Sequence, residues 1–287
     1  MGNSFCGWYF RCQAQGESLA LIPAVHCVGG VRSGSLQFIS GREHWSVSFP
    51  ASQCRVDGNL PRARLGGCSF SPGGVRLDLH TPALSAVGSL RFRGLSPIRY
   101  DIMGPFCRIP FLECRHSVFS MRHQVEGILR INGRDYCFSD STGYIEGDRG
   151  RSFPRQYAWT QCCFPGGSLM LAAAEIPLGP VCFTGVIGVV QLNRREYRLA
   201  TYLGARAEKL SGGEIVVRQG SLTLTARLLE RQAHPLAAPT GGAMTRTIRE
   251  NVSCRAFYQL SRGGRPLLSL EAADAAFEFE YPPGHGA

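Results

Sequence analysis

Apolar side chains recur at every second residue along this chain, and this alternation constrains the fold more than any other feature. Four stretches show it clearly, at residues 45–49, 75–79, 222–228 and 277–281. A period of two places alternate side chains on opposite faces of an extended segment. Each stretch therefore predicts a β-strand with one buried face and one face in solvent.

Glycine-containing dipeptides separate the apolar runs at short intervals. Asn132-Gly133 lies between two such runs and is typical of a two-residue hairpin turn. Three further dipeptides predict additional hairpins: Gly212-Gly213, Gln219-Gly220 and Gly263-Gly264. The turns and strands together predict many short antiparallel strands.

Helical periodicity is confined to short candidates at 153–160 and 206–210. We therefore predict an all-β fold of two antiparallel β-barrel halves packed together, with few short helices. The halves are expected at 1–138 and 156–287. The polar, glycine-rich segment 139–155 is expected to connect them, where an apolar pocket with a few polar groups could form.

Composition excludes several classes of protein. Hydrophobic residues make up 44% of 287 residues, enough for a full core. The net charge is +10, but the arginines are dispersed without a basic run, so nucleic acid is not expected as a partner. No glycine-rich nucleotide loop is present. A lipophilic small molecule is the expected ligand, and the sequence does not define an oligomeric state.

Twelve cysteines show neither a CxxC pair nor zinc-ligand spacing. We expect reduced, mostly buried thiols in a cytoplasmic protein, with secreted disulfides as the alternative. The first ten residues lack the pattern of a signal peptide. The most apolar stretch, 168–192, is interrupted by Glu175 and two prolines and is too short for a membrane helix. A lipophilic substrate could still bring the protein to a membrane surface.

Two carboxylates stand out within the segment 139–155. Tyr144, Glu146 and Asp148 share one face of an extended chain. Two close acids raise each other's proton affinity, and burial raises it further, so one could serve as a general acid. The alternative is a polar linker whose acids pair with Arg149 and Arg151.

Other polar and aromatic residues could complete a site. Glu113, His116 and His123 could form a proton relay with the acids, or else be polar residues of an edge strand. They lack the HExxH spacing of a helical metal site, and no metal is predicted. Phe153, Tyr157 and Trp159, near Gln161, could wall an apolar pocket and stabilise a cation, or belong to the core. Cys162 and Cys163 have no activating pattern beside them.

The run from Tyr144 to Pro154 (YIEGDRGRSFP), followed by Trp159 and Gln161, resembles the central motif of the tocopherol cyclase family. That motif reads roughly Y-x-E-x-(D/N)-W-G-x-x-F-P, then W-x-Q. Weaker similarity extends the resemblance over nearly the whole chain, at 7–10, 101–121, 242–250 and 275–280.

The resemblance implies a lipocalin-like, two-part β-barrel and a cofactor-free cyclisation. In that reaction a prenylated hydroquinone is protonated at the double bond nearest the ring, and the ring hydroxyl captures the tertiary carbocation to give a chromanol. The family is also distantly similar to carotenoid hydratases, in which a carboxyl group protonates an isolated alkene. A non-catalytic carrier of an apolar ligand and an alkene hydratase are the alternatives.

The resemblance assigns roles to individual residues. Glu146 is the expected proton donor, Asp148 would tune it or hold the quinol hydroxyl, and Tyr144 would orient it. Trp159 and Gln161 would line the pocket.

Four further residues are expected to contact the substrate: Phe153, Arg149, Glu113 and His116. Arg149 stands where the motif has tryptophan. A cation beside Glu146 would lower the pKa of its carboxyl, so replacing Arg149 with Trp would then raise activity.

Overall fold

A computed structural model of the protein describes residues 2–14, 16–109, 112–178, 181–230 and 234–282. In these ranges the regular structure is almost entirely antiparallel strand, and the all-β prediction is confirmed. Three short 3-10 helices occur at Ala51–Gln53, Gly104–Arg108 and Thr201–Leu203.

The first sheet contains eleven strands. They are β1 (Ser4–Ala14), β2 (Glu17–Val28), β3 (Val31–Ser40), β4 (His44–Pro50), β5 (Cys54–Val56), β6 (Ala63–Leu65), β7 (Cys68–Ser71), β8 (Gly74–His80), β9 (Ser85–Arg93), β10 (Cys114–Ile131) and β11 (Arg134–Gly150). Their order in the sheet is β4-β3-β2-β1-β11-β10-β9-β8-β7-β6-β5. β1 and β11, far apart in sequence, therefore pair in the middle of the sheet.

The first sheet curls around an apolar core. Cys54 of the edge strand β5 packs against Gly34 of β3, near the opposite edge, and a Cβ at Gly34 would lie 2.3 Å from its sulfur. The core is rich in aromatic side chains, which include Phe10, Phe38, Phe70, Phe92 and Phe138. Side chains therefore occupy the inside of this sheet.

The second sheet contains ten strands. They are β12 (Tyr157–Phe164), β13 (Gly167–Leu178), β14 (Val181–Leu192), β15 (Arg195–Ala200), β16 (Arg206–Ser211), β17 (Glu214–Gln219), β18 (Leu222–Leu228), β19 (His234–Thr240), β20 (Ala243–Arg262) and β21 (Arg265–Phe279). Nine follow the order β15-β14-β13-β12-β21-β20-β18-β17-β16, and β19 pairs with β20. The sheet surrounds its own apolar core.

The chain divides into two compact units. The first comprises Met1–Arg99, Leu112–Phe153 and Leu236–Thr247, and the second comprises Tyr100–Phe111, Pro154–Pro235 and Ile248–Ala287. In the second unit, Arg198 lies over the ring of Tyr100, 3.7 Å from its centroid, and donates to the carbonyls of Tyr100 and Asp101. These contacts attach the segment that follows β9 to the second sheet.

Several local predictions are confirmed and others are corrected. The four predicted hairpins form, and the Asn132-Gly133 turn joins β10 to β11. The expected connector 139–155 is wrong for residues 139–150, because paired strands on both sides supply hydrogen bonds to this glycine-rich stretch. The short helix candidates 153–160 and 206–210 are wrong, since β12 and β16 begin within or at the start of them.

The burial of the cysteine thiols and of Glu278 can be compared with the expectations from the sequence. Seven of the twelve thiols are buried, whereas Cys137 and Cys182 are exposed. Glu278, expected on a solvent-facing side of its strand, is buried and accepts a hydrogen bond from the Tyr157 hydroxyl. Among the described residues, no helix is long and apolar enough to cross a bilayer.

Candidate functional site

Strand β11 directs two sets of side chains to opposite faces of the first sheet. Ile145 belongs to the apolar core, and a Cβ at Gly147 would lie 2.6 Å from the Trp8 ring. The even-numbered residues 144–148 therefore project from the other face, away from this core. We call that face of β10, β11, β1, β2 and β3 the polar face.

A β-bulge sets which residues of β11 reach the polar face. Before it, Tyr136 and Phe138 are core residues, whereas after it the core residue is the odd-numbered Ile145. The register between β10 and β11 shifts by one residue at this place, and Asp140 has a φ of 50°. An extra residue inverts the alternation of a strand. Without the bulge, Glu146 would face the core.

Four side chains meet on the polar face in a continuous chain of contacts. His116 of β10 lies opposite Asp148 in the sheet, with Nδ1 3.0 Å from Asp148 Oδ1. The other ring nitrogen, Nε2, lies 3.1 Å from Glu146 Oε2. The Tyr144 hydroxyl donates to the same Glu146 oxygen at 2.6 Å. We call Asp148, His116, Glu146 and Tyr144 the acid cluster.

The acid cluster becomes progressively more accessible along its length. Tyr144 is fully buried, while the exposed fraction of the side chain rises from 7% for Glu146 to 13% for His116 and 23% for Asp148. A proton on the cluster is thus held largely away from water, with Asp148 as the end nearest to solvent.

Charge interactions fix the protonation state of the cluster. Burial lowers the pKa of His116, but the carboxylates of Glu146 and Asp148 raise it more, and the net pKa lies well above the ordinary histidine value. Burial and the Glu146 charge raise the pKa of Tyr144, so its hydroxyl remains a neutral donor. At neutral pH the imidazole is therefore a cation between two carboxyl groups.

Cys114 extends the cluster and was not among the predicted site residues. Its thiol donates to Asp148 Oδ1 at 3.5 Å, and burial raises the thiol pKa well above its ordinary value. The signal in the sequence is its spacing of two from His116, which places both side chains on one face of β10. Cys114 is a neutral hydrogen-bond donor rather than a nucleophile.

His116, Glu146 and Asp148 also present one potential metal ligand atom each, all within 4.8 Å of one another. The two nitrogens of His116 lie 3.0 and 3.1 Å from carboxylate oxygens, so a metal ion at this place would have to displace the proton that the imidazole carries between them. Glu113, His116 and His123, the residues that the sequence offers for a proton relay, are not brought together as one group, because His123 lies against Phe92 and Ser120.

His123 is separated from the acid cluster, which corrects the predicted relay. Its ring packs against Phe92 of the apolar core at 4.6 Å between centroids, and its Nδ1 lies 3.2 Å from Ser120 Oγ. Burial lowers its pKa to about 3. Glu113 precedes β10, where its backbone carbonyl accepts the N–H of Arg151 at 2.7 Å.

Arg149 does not lie beside Glu146, because the two residues project from opposite faces of β11. Its guanidinium donates to the carbonyl of Gly58 and to Asn59 Oδ1, both at 2.6 Å. The expectation that this cation acts directly on the carboxyl is therefore wrong. The linker alternative also fails for Asp148, whose described partners are His116 and Cys114.

The predicted aromatic residues are divided between the two units. Phe153 packs edge-on against Phe5 in the first unit, with centroids 5.4 Å apart. Trp159 and Gln161 are buried on β12 of the second unit, where Gln161 Nε2 donates to Cys163.

Comparison with known proteins identifies the fold but not a family. No protein-family model matches the chain, and no curated protein sequence matches it significantly. The solved structure of CghA with Sch210972 has a TM-score of 0.64 at 10% identity, covering 99% of this chain and 90% of that chain. Kievitone hydratase from Nectria haematococca has a TM-score of 0.55 at 10% identity, with coverages of 97% and 89%.

A Nitrosomonas europaea protein provisionally named ATTH gives a similar result. Its TM-score is 0.57 at 12% identity, covering 98% of this chain and 93% of that chain. Likeness at such low identity is a statement about fold. The chain thus has a lipocalin-like, barrel-type fold, shared over nearly its full length with these proteins.

Proposed function

We propose that the protein is a cofactor-free acid–base enzyme that cyclises a prenylated hydroquinone, or a related terpenoid, to a chromanol-type ring. The observation that carries the proposal is the position of His116 between Glu146 and Asp148, with Tyr144 bonded to Glu146. The motif resemblance to tocopherol cyclases supports the same chemistry.

The acid cluster can supply and recover the single proton that cyclisation requires. The proton moves from His116 Nε2 to Glu146 Oε2, and the neutral carboxyl transfers it to the alkene carbon of the substrate. The π bond breaks as a C–H bond forms, which leaves a tertiary carbocation. The ring hydroxyl then forms the C–O bond, and its proton returns to the cluster through the more exposed Asp148 side. No net proton is consumed.

The other members of the cluster position the acid. The Tyr144 hydroxyl fixes Glu146 Oε2 and remains protonated, so it does not compete for the transferred proton. Asp148 holds the imidazole through Nδ1, which leaves Nε2 as the nitrogen near Glu146, 3.1 Å from Oε2. Because a prenylated hydroquinone is lipophilic, the proposal also includes a peripheral location at a membrane surface.

Alkene hydration is a second candidate that uses the same proton donor. After protonation by Glu146, water rather than a ring hydroxyl would capture the carbocation. The specific observation in its favour is the shared fold with a protein named kievitone hydratase. The two reactions differ in product mass, because hydration adds one water and cyclisation adds none.

The replacement Glu146→Gln tests the proposal. The amide keeps the size of the side chain and can still accept from Tyr144, but it cannot deliver a carboxylic proton. We expect chromanol formation from a prenylated hydroquinone to fall by about 10²- to 10⁴-fold, the range typical of a general acid. Product is measured by mass spectrometry after anaerobic incubation, with and without a chelator.

Glu126→Gln is the matched control, since Glu126 is an exposed residue of β10. It should retain full activity, and the chelator should leave the rate unchanged. Undiminished turnover in Glu146→Gln would remove Glu146 from its assigned role. Tight binding without turnover in the unmodified protein would favour the carrier alternative.

A further inference from the structure

A second histidine lies on the polar face at some distance from the acid cluster. His26 of β2 is 6% exposed, and its Nε2 lies 2.9 Å from Ser35 Oγ. Its other nitrogen, Nδ1, is buried and has no hydrogen-bond partner within the described part of the chain. A buried polar atom without a partner is costly, so this nitrogen calls for an explanation such as a ligand.

The sheet register places His26 in a defined relation to the acid cluster. One row of cross-strand neighbours runs over five strands, from β10 to β3: His116, Asp148, Gly7, Ala24 and Ser35. His26 belongs to the adjacent row, and its bond to Ser35 ties it to this one. The row is therefore polar at both ends.

The middle of the row carries almost no side chain. Gly7 has none, and a Cβ there would lie 3.0 Å from that of Ala24. Gly7 is partly exposed, whereas Tyr9 and Phe5, its neighbours on the same face, are buried aromatic residues. On this face, therefore, no side chain larger than a methyl group lies between Asp148 and Ser35, and Ala24 is itself buried. We call this stretch of the row, which is bordered by the rings of Phe5 and Tyr9, the gap.

We infer that this gap receives the aromatic ring of the ligand and that His26, held by Ser35, binds the ring oxygen farthest from the acid cluster. The inference rests on the proposed function, because it takes the ligand to be a prenylated hydroquinone. His26 is then a positioning residue that selects rings carrying two para oxygens.

The dimensions of the gap agree with such a ring. Asp148 and Ser35 are three strand spacings apart, about 14 Å between their Cα atoms. A ring with two para oxygens spans about 11 Å when one hydrogen bond at each end is included. The ring therefore fits between the two polar ends, with one hydroxyl near Asp148 and the other near His26.

The charge of His26 suits this role. Burial lowers its pKa to about 4, so the imidazole is neutral at physiological pH. A neutral imidazole both donates and accepts hydrogen bonds, whereas a cation only donates. His26 can thus bind a phenol hydroxyl without acting as an acid.

The test compares two non-reactive probes with saturated tails, a 2-alkyl-1,4-hydroquinone and the matching 2-alkylphenol. They differ only in the ring oxygen assigned to His26. Calorimetry under anaerobic conditions should show about tenfold tighter binding of the hydroquinone, as expected for one well-placed hydrogen bond. His26→Leu should abolish that preference by weakening hydroquinone binding while leaving phenol binding unchanged.

Ser35→Ala and Ser69→Ala form a matched pair. Ser35 holds the imidazole, so its loss should reduce the preference severalfold, whereas Ser69 is exposed on β7, outside the polar face, and its loss should change nothing. Ser35→Ala also gives an answer if His26→Leu fails to fold. Equal binding of both probes by the unmodified protein would overturn the inference, and so would an undiminished preference in Ser35→Ala or in His26→Leu.

The binding assay is independent of turnover. A preference for the hydroquinone probe without cyclisation of an unsaturated substrate would support the His26 subsite and count against the proposed function. Cyclisation of the unsaturated substrate without a preference for the hydroquinone probe would support the proposed function and count against the His26 subsite.

Discussion

His116 and His123 lie seven residues apart on β10, and their surroundings have little in common. His116 is on the polar face between two carboxylates, which raise its pKa. His123 is packed against Phe92 of the apolar core, where burial lowers its pKa to about 3. One imidazole is a cation at neutral pH and the other is neutral throughout the physiological range.

The difference teaches that the face of the sheet, rather than residue type, decides what a polar side chain does here. Strand β10 changes register against β11 between Val118 and Ser120, and again between Ser120 and His123. The separation of seven residues is odd, so alternation along the strand already places the two side chains on opposite faces, and the two one-residue shifts together leave that relation unchanged. The two histidines therefore offer an internal comparison in which the same substitution has opposite consequences.

The largest expected effect is on activity when each histidine is replaced with leucine. His116→Leu removes the proton held between Glu146 and Asp148, and we expect turnover to fall by about 10²- to 10⁴-fold. His123→Leu places an apolar side chain of similar size against Phe92, outside the acid cluster, and should retain activity. Rates of turnover of a prenylated hydroquinone distinguish the two variants. Equal losses of activity would show that the face of the sheet on which a histidine lies does not determine its role.

The next effect concerns stability in acid and follows from His123. Its folded pKa of about 3 lies below the unfolded value near 6.5, so the unfolded chain binds more protons between these limits. The neutral, buried form contributes stability that is present above pH 6.5 and lost as pH falls toward 3. At pH 4 the loss from this residue is about 3 kcal/mol.

His123→Leu should lack this loss. Urea unfolding at pH 7 and pH 4 is the measurement, and the variant should lose about 3 kcal/mol less than the unmodified protein between the two pH values. His116 acts with the opposite sign, because its folded pKa is raised and its contribution disappears only as pH rises through that pKa. Identical acid sensitivity in both proteins would contradict the assignment of His123.

Part of the site could be predicted from the sequence for a simple reason. Spacing by two residues places Tyr144, Glu146 and Asp148 on one face of a strand, whatever the partner strands are. The Asn132-Gly133 turn likewise defines where β10 and β11 begin to pair. Local patterns therefore suffice for the strands, the hairpins and the acidic half of the cluster.

The partner of the acids could not be predicted, because it depends on small shifts far from the turn. Counting back from the Asn132-Gly133 turn pairs His116 with Arg149, whereas register shifts in the hairpin pair it with Asp148. No sequence pattern marks such shifts clearly. The pairing of β1 with β11, which adds Gly7 and Tyr9 to the face, is long-range and equally hidden.

A smaller effect is expected at the bulge near Asp140, where the alternation of side chains between the two faces of β11 is inverted. Asp140 adopts a φ of 50°, a conformation that aspartate tolerates and β-branched residues do not. Asp140→Val should lower the free energy of unfolding by about 1–2 kcal/mol. Asp140→Gly, which tolerates this φ, is the control and should change it far less.

Both variants are compared by urea unfolding. Asp140 is exposed, so the comparison is not affected by burial of the new side chain. Equal stability of the valine and glycine variants would show that the positive φ is not needed to maintain the bulge.

The smallest effect is expected at Arg149, which tests whether the faces of β11 are functionally independent. Its guanidinium binds the Gly58 carbonyl and Asn59 on the side away from Glu146. We expect Arg149→Met to change turnover by less than about threefold and to cost about 1 kcal/mol of stability, from the lost hydrogen bonds. Arg149→Trp should likewise leave the rate nearly unchanged. A severalfold rise in rate with tryptophan would mean that the cation weakens the acid through the sheet, and the two faces would then be coupled electrostatically despite their geometric separation.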